Sequence, residues 1–159
     1  MKYFFDTEFI EDGKTIDLIS IGVVDENGRE LYCCNTAARL DLANDWVRAN
    51  VLPHLPPYDD EAWCSREGIK NRLLTFVGGD LKPEFWAYYA DYDWVALCQL
   101  FGTMMQLPSY FPKWCRDLKQ LSASLESPRQ HPPDPEDEHD ALADARWNKL
   151  LYEVLTVRR

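Results

Sequence analysis

Phe, Tyr, Ile and Val crowd the N-terminal part of the chain, separated by short polar breaks. Lys2 to Phe9 and Ile16 to Val24 are apolar enough for buried strands, and Glu11-Asp12-Gly13-Lys14 is the polar turn between them. Asp25-Glu26-Asn27-Gly28 carries the Asn-Gly hairpin signal, which makes Glu30 to Asn35 the third strand of a meander. Leu42 to Asn50 reads as a short helix, closed by Pro53-His54-Leu55-Pro56-Pro57. From Ala62 to Val77, the residues Trp63, Ile69, Leu73, Leu74 and Val77 recur at helical spacing, and Gly78-Gly79 supplies the stop. Phe85 to Ala90 suits a buried strand, while Trp94 to Met105, Cys115 to Leu125 and Asp140 to Val157 are expected as helices. Ser127 to Glu138 holds Pro128, Pro132, Pro133 and Pro135, and is expected as a loop that overhangs a neighbouring element. Three antiparallel strands followed by alternating strands and helices predict an α/β sheet of mixed direction.

Composition narrows the class. A chain of 159 residues suits a single domain spanning 1–159, and six Trp, eight Tyr and seven Phe exclude wholesale disorder. No apolar run approaches the roughly 20 residues of a membrane-spanning helix. Met1 to Phe5 begins like the apolar part of a signal peptide, but Asp6, Glu8, Glu11 and Asp12 interrupt it, so none is expected. Twenty-seven acidic against 17 basic residues give a formal charge of −10. That excludes a binder held to nucleic acid by Lys and Arg alone. It does not exclude an enzyme that meets phosphates through metal ions held by acidic side chains. The five cysteines (33, 34, 64, 98 and 115) form an odd set with no CxxC spacing. A disulfide framework or zinc knuckle is therefore not expected, and a reducing cytoplasm is.

Three segments could carry chemistry. Asp6 and Glu8 lie two apart on the first strand, so they project to one side within a few ångströms of each other. Paired carboxylates repel unless a proton or cation separates them, and hard divalent ions accept such ligands. An isolated pair of this kind is more often the solvated end of a strand. Asp91-Tyr92-Asp93 follows the Phe85 strand and opens a helix, the position where α/β sheets place ligands. Alone, either aspartate is as well explained by helix capping. His139-Asp140-Ala141-Leu142-Ala143-Asp144 stands where the Pro-rich loop enters the last helix. His139 and Asp144 would lie about 140° apart on an ideal helix, so they converge only if His139 leaves the helical path.

Taken together, the order of DxE on a first strand, Asp after a later strand and HxxxxD at the last helix resembles the DEDDh family of 3′–5′ exonucleases. That family has a ribonuclease H-like fold. Tyr3-Phe4-Phe5-Asp6-Thr7-Glu8-Phe9, Leu18 to Val24, Tyr92-Asp93-Trp94-Val95-Ala96-Leu97-Cys98-Gln99-Leu100 and His139 to Arg146 are similar to the mycobacterial polyadenylate-specific 3′–5′ exoribonuclease AS group. The resemblance runs from residue 1 to about 150. It implies a mixed sheet flanked by helices, metal ligands at Asp6, Glu8, Asp93 and Asp144, and a general base at His139. It also implies two Mg²⁺ or Mn²⁺ ions, a single-stranded RNA 3′ end as substrate, 5′-mononucleotides as products, and a homodimer. Asp93 is preferred over Asp91 because an aromatic residue precedes it, as in the family motif. Many members place an Asn four residues before this acid, and here Tyr89 takes that place.

The residue types suit the chemistry. Two cations about 3.5–4 Å apart can hold attacking water and leaving oxygen on opposite sides of one phosphorus. A histidine with an ordinary pKa near about 6.5 can accept the water's proton. Choosing RNA over DNA needs a contact to the 2′-hydroxyl, for which Glu8 and Phe9 are the candidates, Phe9 also as a stacking ring. The six tryptophans are assigned to the core. Arg116 and Arg146 could touch phosphate or stand solvated. The competing readings are a 3′–5′ exonuclease on single-stranded DNA and a non-catalytic RNA-binding regulatory module.

Overall fold

The computed structural model describes residues 1–157. The first two strands, β1 (Lys2–Glu11) and β2 (Ile16–Asp25), pair antiparallel, and β3 (Glu30–Asn35) extends the meander after the turn at Asn27-Gly28. Gly28 takes a φ of 87°, which suits a residue without a Cβ. Parallel partners complete the sheet in the order β4-β3-β2-β1-β5-β6, with β4 at Trp63–Cys64, β5 at Glu84–Ala87 and β6 at Arg116–Asp117. This is the mixed α/β sheet that the pattern predicts.

Both faces are covered. Tyr3, Phe5, Ile21, Val23 and Phe85 pack against α2 (Arg66–Val77) and α3 (Asp91–Gln99) through Ile69, Leu73, Trp94 and Leu97. On the opposite face Phe4 and Trp86 meet Leu151 and Leu155 of α5 (Ala141–Thr156) and Leu118 of α4 (Leu118–Ala123). The sixteen-residue α5 lies across β1 and β2. It approaches closely because β2 offers Gly22, where a Cβ would collide with the Ala141 carbonyl. Since Gly22 is opposite Asp6 in the ladder, this contact sets the first turn of α5 beside the end of β1.

Several boundaries differ from those the pattern predicts. Leu42 to Asn50 divides into a short 3-10 turn at Leu40–Leu42 and α1 (Asp45–Asn50), because the Asn44 side chain caps the latter at the Val47 N–H. Trp63 belongs to β4 rather than to the following helix, which starts only after Ser65 caps Gly68. Likewise Asp117 caps α4, so Arg116 and Asp117 form an edge strand instead of a helical turn. The strand from Phe85 stops at Ala87, and α3 begins at Asp91 and ends at Gln99, short of Met105. In the first three cases a small polar cap or a parallel neighbour outranks hydrophobic spacing.

Candidate active site

β1 outruns its parallel neighbour. β5 pairs with it only at Lys2, Tyr3 and Phe4, so backbone groups further along that edge need other partners. Asp93, at the start of α3, supplies one: its Oδ1 accepts from the Thr7 N–H at 3.0 Å and the Thr7 hydroxyl at 2.6 Å. Asn148, on α5, supplies the other by donating from Nδ2 to the Phe5 carbonyl at 2.9 Å. The unpaired edge of β1 thereby draws α3 and α5 to the place where Asp6 and Glu8 project. A register shift between Glu8 and Phe9 follows directly, in keeping with β-bulges that re-aim side chains next to active sites.

The His139 backbone adopts a φ of 73°, so the residue leaves the helical path before Asp140 caps α5 at the Ala143 N–H. Its own N–H donates to Asp144 Oδ2 at 2.9 Å. That bend removes the angular gap expected on an ideal helix. Glu8, His139 and Asp144 can each present a ligand atom within 4.8 Å of the others. A cavity of about 160 Å³ is lined by Asp6, Tyr88, Asp134, Glu138, His139, Asp144, Trp147 and Asn148. The Pro-rich loop does overhang an element: Asp134, Pro135 and Glu138 form one wall of this cavity. It is fastened by Arg129 to the Val154 carbonyl, by Trp147 Nε1 to the Pro133 carbonyl and by His131 to the Ser122 hydroxyl.

The acids repel one another in partial burial. Desolvation, then Asp93, Glu8 and Asp144, push the Asp6 carboxyl well above its ordinary pKa. Burial followed by Asp144 and Asp93 raises Glu8 to about 9. Asp93 rises to about 6, chiefly by burial and against the lowering effect of the Thr7 hydrogen bonds. Asp144 also rises to about 6 by burial, although the His139 N–H opposes the shift. The donor set is mostly carboxylate oxygen, which fits hard divalent cations, and its mutual repulsion is what such ions would relieve. The residues present fit the metal ions that the motifs imply.

The structure brings Asp6, Glu8, Asp93, His139 and Asp144 together, and leaves Asp91 exposed on the outer side of α3. Phe9 is half-buried and stacks on Tyr92, with ring centroids 5.8 Å apart and planes 16° from parallel. Arg146 forks onto Glu30, and Arg116 pairs with Glu84, so each spends its charge on the protein itself. The expectation of a core place for the tryptophans holds for some of them and not for others. Trp86 and Trp94 are buried, but Trp46 is 54% exposed and stands edge-on to His139 at 4.8 Å, and Trp114 is exposed as well. Their contacts depend on how distant segments meet, which composition does not encode. Thr7 and Asn148 were missed by the sequence reading. Asn148 carries a usable signal, since it lies four residues after Asp144 and shares its helix face.

Comparison with known proteins shows the family and the fold. Residues 1–156 match the family described as the 3′–5′ exoribonuclease Rv2179c-like domain. The 3′–5′ exoribonuclease Rv2179c of Mycobacterium tuberculosis strain H37Rv is 49% identical over 158 residues, covering 98% of this chain and 94% of that protein. The 3′–5′ exoribonuclease MT2234.1 of strain CDC 1551 matches to the same extent. Among solved structures, Schizosaccharomyces pombe Pop2p, in a form with Mg²⁺ and Mn²⁺ bound, superposes with a TM-score of 0.63 at 13% identity. That superposition covers 95% of this chain and 81% of the other, and it places the fold in the ribonuclease H-like class.

Proposed function

The chain belongs to the Rv2179c-like family of 3′–5′ exoribonucleases, and on that premise we propose that it is a metal-dependent enzyme releasing 5′-mononucleotides from single-stranded RNA 3′ ends. One observation carries the reading: four carboxylates and a histidine from three separated segments gather at one place, with Asp6, His139 and Asp144 lining the cavity, Glu8 and Asp93 close beside them, and the pKa of each acid raised first by burial. Asp6, Glu8, Asp93 and Asp144 would hold two divalent cations, Mg²⁺ or Mn²⁺. Such ions offset phosphodiester charge and activate water.

The chain's own residues do the rest. His139 accepts the proton of the attacking water as the oxygen adds to phosphorus and the bond to the upstream 3′-oxygen breaks; that oxygen takes a proton from solvent, leaving a mononucleotide and a shortened RNA with a 3′-hydroxyl. The edge of Trp46 backs the imidazole, and the His139 N–H bond to Asp144 fixes the bend that carries it. Thr7 occupies Asp93 Oδ1 and so leaves Oδ2 for another partner. Glu8 and Phe9 are proposed to meet the terminal ribose and base, since they flank the register shift of β1 directly after Asp6 and Thr7.

A preference for A-rich tails, a homodimer and a cytoplasmic location belong to the same proposal and rest on the likeness of the four motifs. Five free thiols suit a reducing compartment. Residues 1–159 are proposed to form one catalytic domain. No helix among the described residues is long and apolar enough to cross a membrane.

The test is degradation of 5′-labelled A-tailed RNA, other RNAs and matched DNA in Mg²⁺, Mn²⁺ or EDTA. A ladder that shortens on RNA and stops in EDTA is expected, fastest on A-tails. A ladder unaffected by EDTA would overturn the metal-dependent mechanism. Light scattering in solution checks the dimer.

A further inference from the structure

Beyond the end of β5 the chain turns sharply, sending Tyr88 to one core cluster and Ala90 to the other while Tyr89 between them faces outward. Tyr88 lines the cavity together with Asp6, His139 and Asp144. The next residue, Tyr89, adopts a φ of 54°, in the left-handed region that bulky side chains rarely enter. Its surroundings hold it there: the following Ala90 N–H donates to Asp117 Oδ2 at 2.8 Å, and the Ala90 carbonyl accepts from the Trp94 N–H. The ring is nevertheless offered to solvent, 61% exposed, touching Tyr88 edge-on at 4.7 Å. Backbone strain of this kind persists where the neighbouring structure over-determines it, and points to a use for the side chain.

Lys119 supplies the second observation. It is exposed on α4, its ammonium lies 5.8 Å from the centre of the Tyr89 ring, and it acts on the Tyr88 phenol as a nearby cation. It forms no ion pair among the described residues, whereas Arg29, Arg39, Arg116 and Arg146 each meet a carboxylate. In a chain of charge −10, a spare cation beside an acid-lined cavity marks where a further phosphate can be received.

Taking the cavity as the exoribonuclease site, we propose that Tyr89 and Lys119 form a subsite for the nucleotide on the 5′ side of the scissile phosphate, with the ring stacking on its base and the ammonium meeting its phosphate. The chemistry assigns the side. The terminal nucleoside carries no phosphate beyond the scissile one, so an extra cation gains affinity only along the strand that remains. Stacking on a tyrosine tolerates any base, as suits an enzyme that moves stepwise along a strand.

Two substrates separate this subsite from the reacting centre: a short 5′-labelled oligoadenylate, and the p-nitrophenyl ester of adenosine 5′-monophosphate, which keeps the ribose 2′-hydroxyl but lacks an upstream nucleotide. Tyr89→Gly relieves the left-handed strain, so it should melt no lower than the wild type. It should raise KM for the oligoadenylate about tenfold with little change in kcat, and lower the RNA-to-ester ratio of kcat/KM to match. Lys119→Gln should weaken RNA binding and flatten its salt dependence by about 0.7 in the log–log slope, while Tyr89→Gly leaves that slope in place. Equal losses on both substrates, or no loss on RNA, would overturn the subsite. Binding is also measured by anisotropy with Ca²⁺ in place of Mg²⁺, so it needs no turnover. RNA bound through Tyr89 and Lys119 but never cleaved would sink the catalytic reading and leave the subsite standing. RNA cleaved and bound equally by wild type and variants would do the reverse.

Discussion

The two ends of β1 treat buried acid in opposite ways. At the Tyr3 end, Asp25 has no exposure and accepts from the Asn27 and Arg29 N–H groups at 2.9 Å and from Arg29 Nε at 2.6 Å. The N-terminal ammonium sits 2.9 Å from Asp80, and Lys2 pairs with Glu26. At the other end, Asp6, Glu8, Asp93 and Asp144 gather with no Lys or Arg of the chain in salt-bridge contact among the described residues. Asp80 shows what pairing does, because the ammonium and the Lys82 N–H hold its pKa below the ordinary value against the effect of burial. The site acids move the other way. One end closes its charges to stabilise the fold. The other leaves them open, and the repulsion within that cluster is relieved by protons or by cations from outside the chain.

The largest expected break in this contrast is chemical. Asp6→Asn or Asp144→Asn should lower metal-dependent cleavage by on the order of 10³-fold or more, with the circular dichroism spectrum unchanged. Asp93→Asn should follow the same course, while Asp91→Asn, on the exposed side of α3, should retain cleavage within about twofold. The opposite ranking would transfer the third acid to Asp91.

Next is the closed end. Arg29→Ala leaves the Asp25 carboxylate buried with backbone donors alone, so it should cost about 1–3 kcal/mol in urea unfolding without altering kcat. An equal loss of activity would show that the two ends are coupled.

A smaller and more diagnostic effect concerns pH. The folded-state pKa values of Asp93 and Asp144, about 6, and of Glu8, about 9, lie above those of an unfolded chain, so the native state binds more protons. The stability from these groups is complete below about pH 4 and is lost as pH rises through 6 and then 9. In EDTA, Tm should therefore decline across that window, and Glu8→Gln should remove the upper part of the decline. Saturating Mg²⁺, at about 100 times its Kd, should restore about 2.7 kcal/mol, because cations favour the ionised acids. A pH profile that EDTA and Mg²⁺ leave alike would count against the cation site.

The pattern made the meander legible, since runs rich in Phe, Tyr, Ile and Val and an Asn-Gly turn are local signals. It also made α5 legible through Asp140 and the spacing of Leu151 and Leu155. Trp63 and Arg116 went astray because two-residue strands exist only through a parallel partner, β3 in one case and β5 in the other. The five site residues could be picked out by type, order and family resemblance. What they touch could not: the Thr7 bonds to Asp93, the Asn148 bond to Phe5 and the edge of Trp46 on His139 all join segments remote in sequence.

By itself the sequence determined the meander, the helical character of residues 66–77 and 141–156, the acidic balance and the kinds of side chain available for catalysis, because these follow from composition and from interactions within a few residues. Only the tertiary structure decided that β1 would outrun β5 and recruit Asp93 and Asn148 to its free edge. It also decided that Gly22 would admit α5 close to Asp6, and that a left-handed turn would bring His139 to the cavity wall. Those outcomes depend on which backbone groups lack partners once the sheet is assembled, and that is a property of neighbours in space.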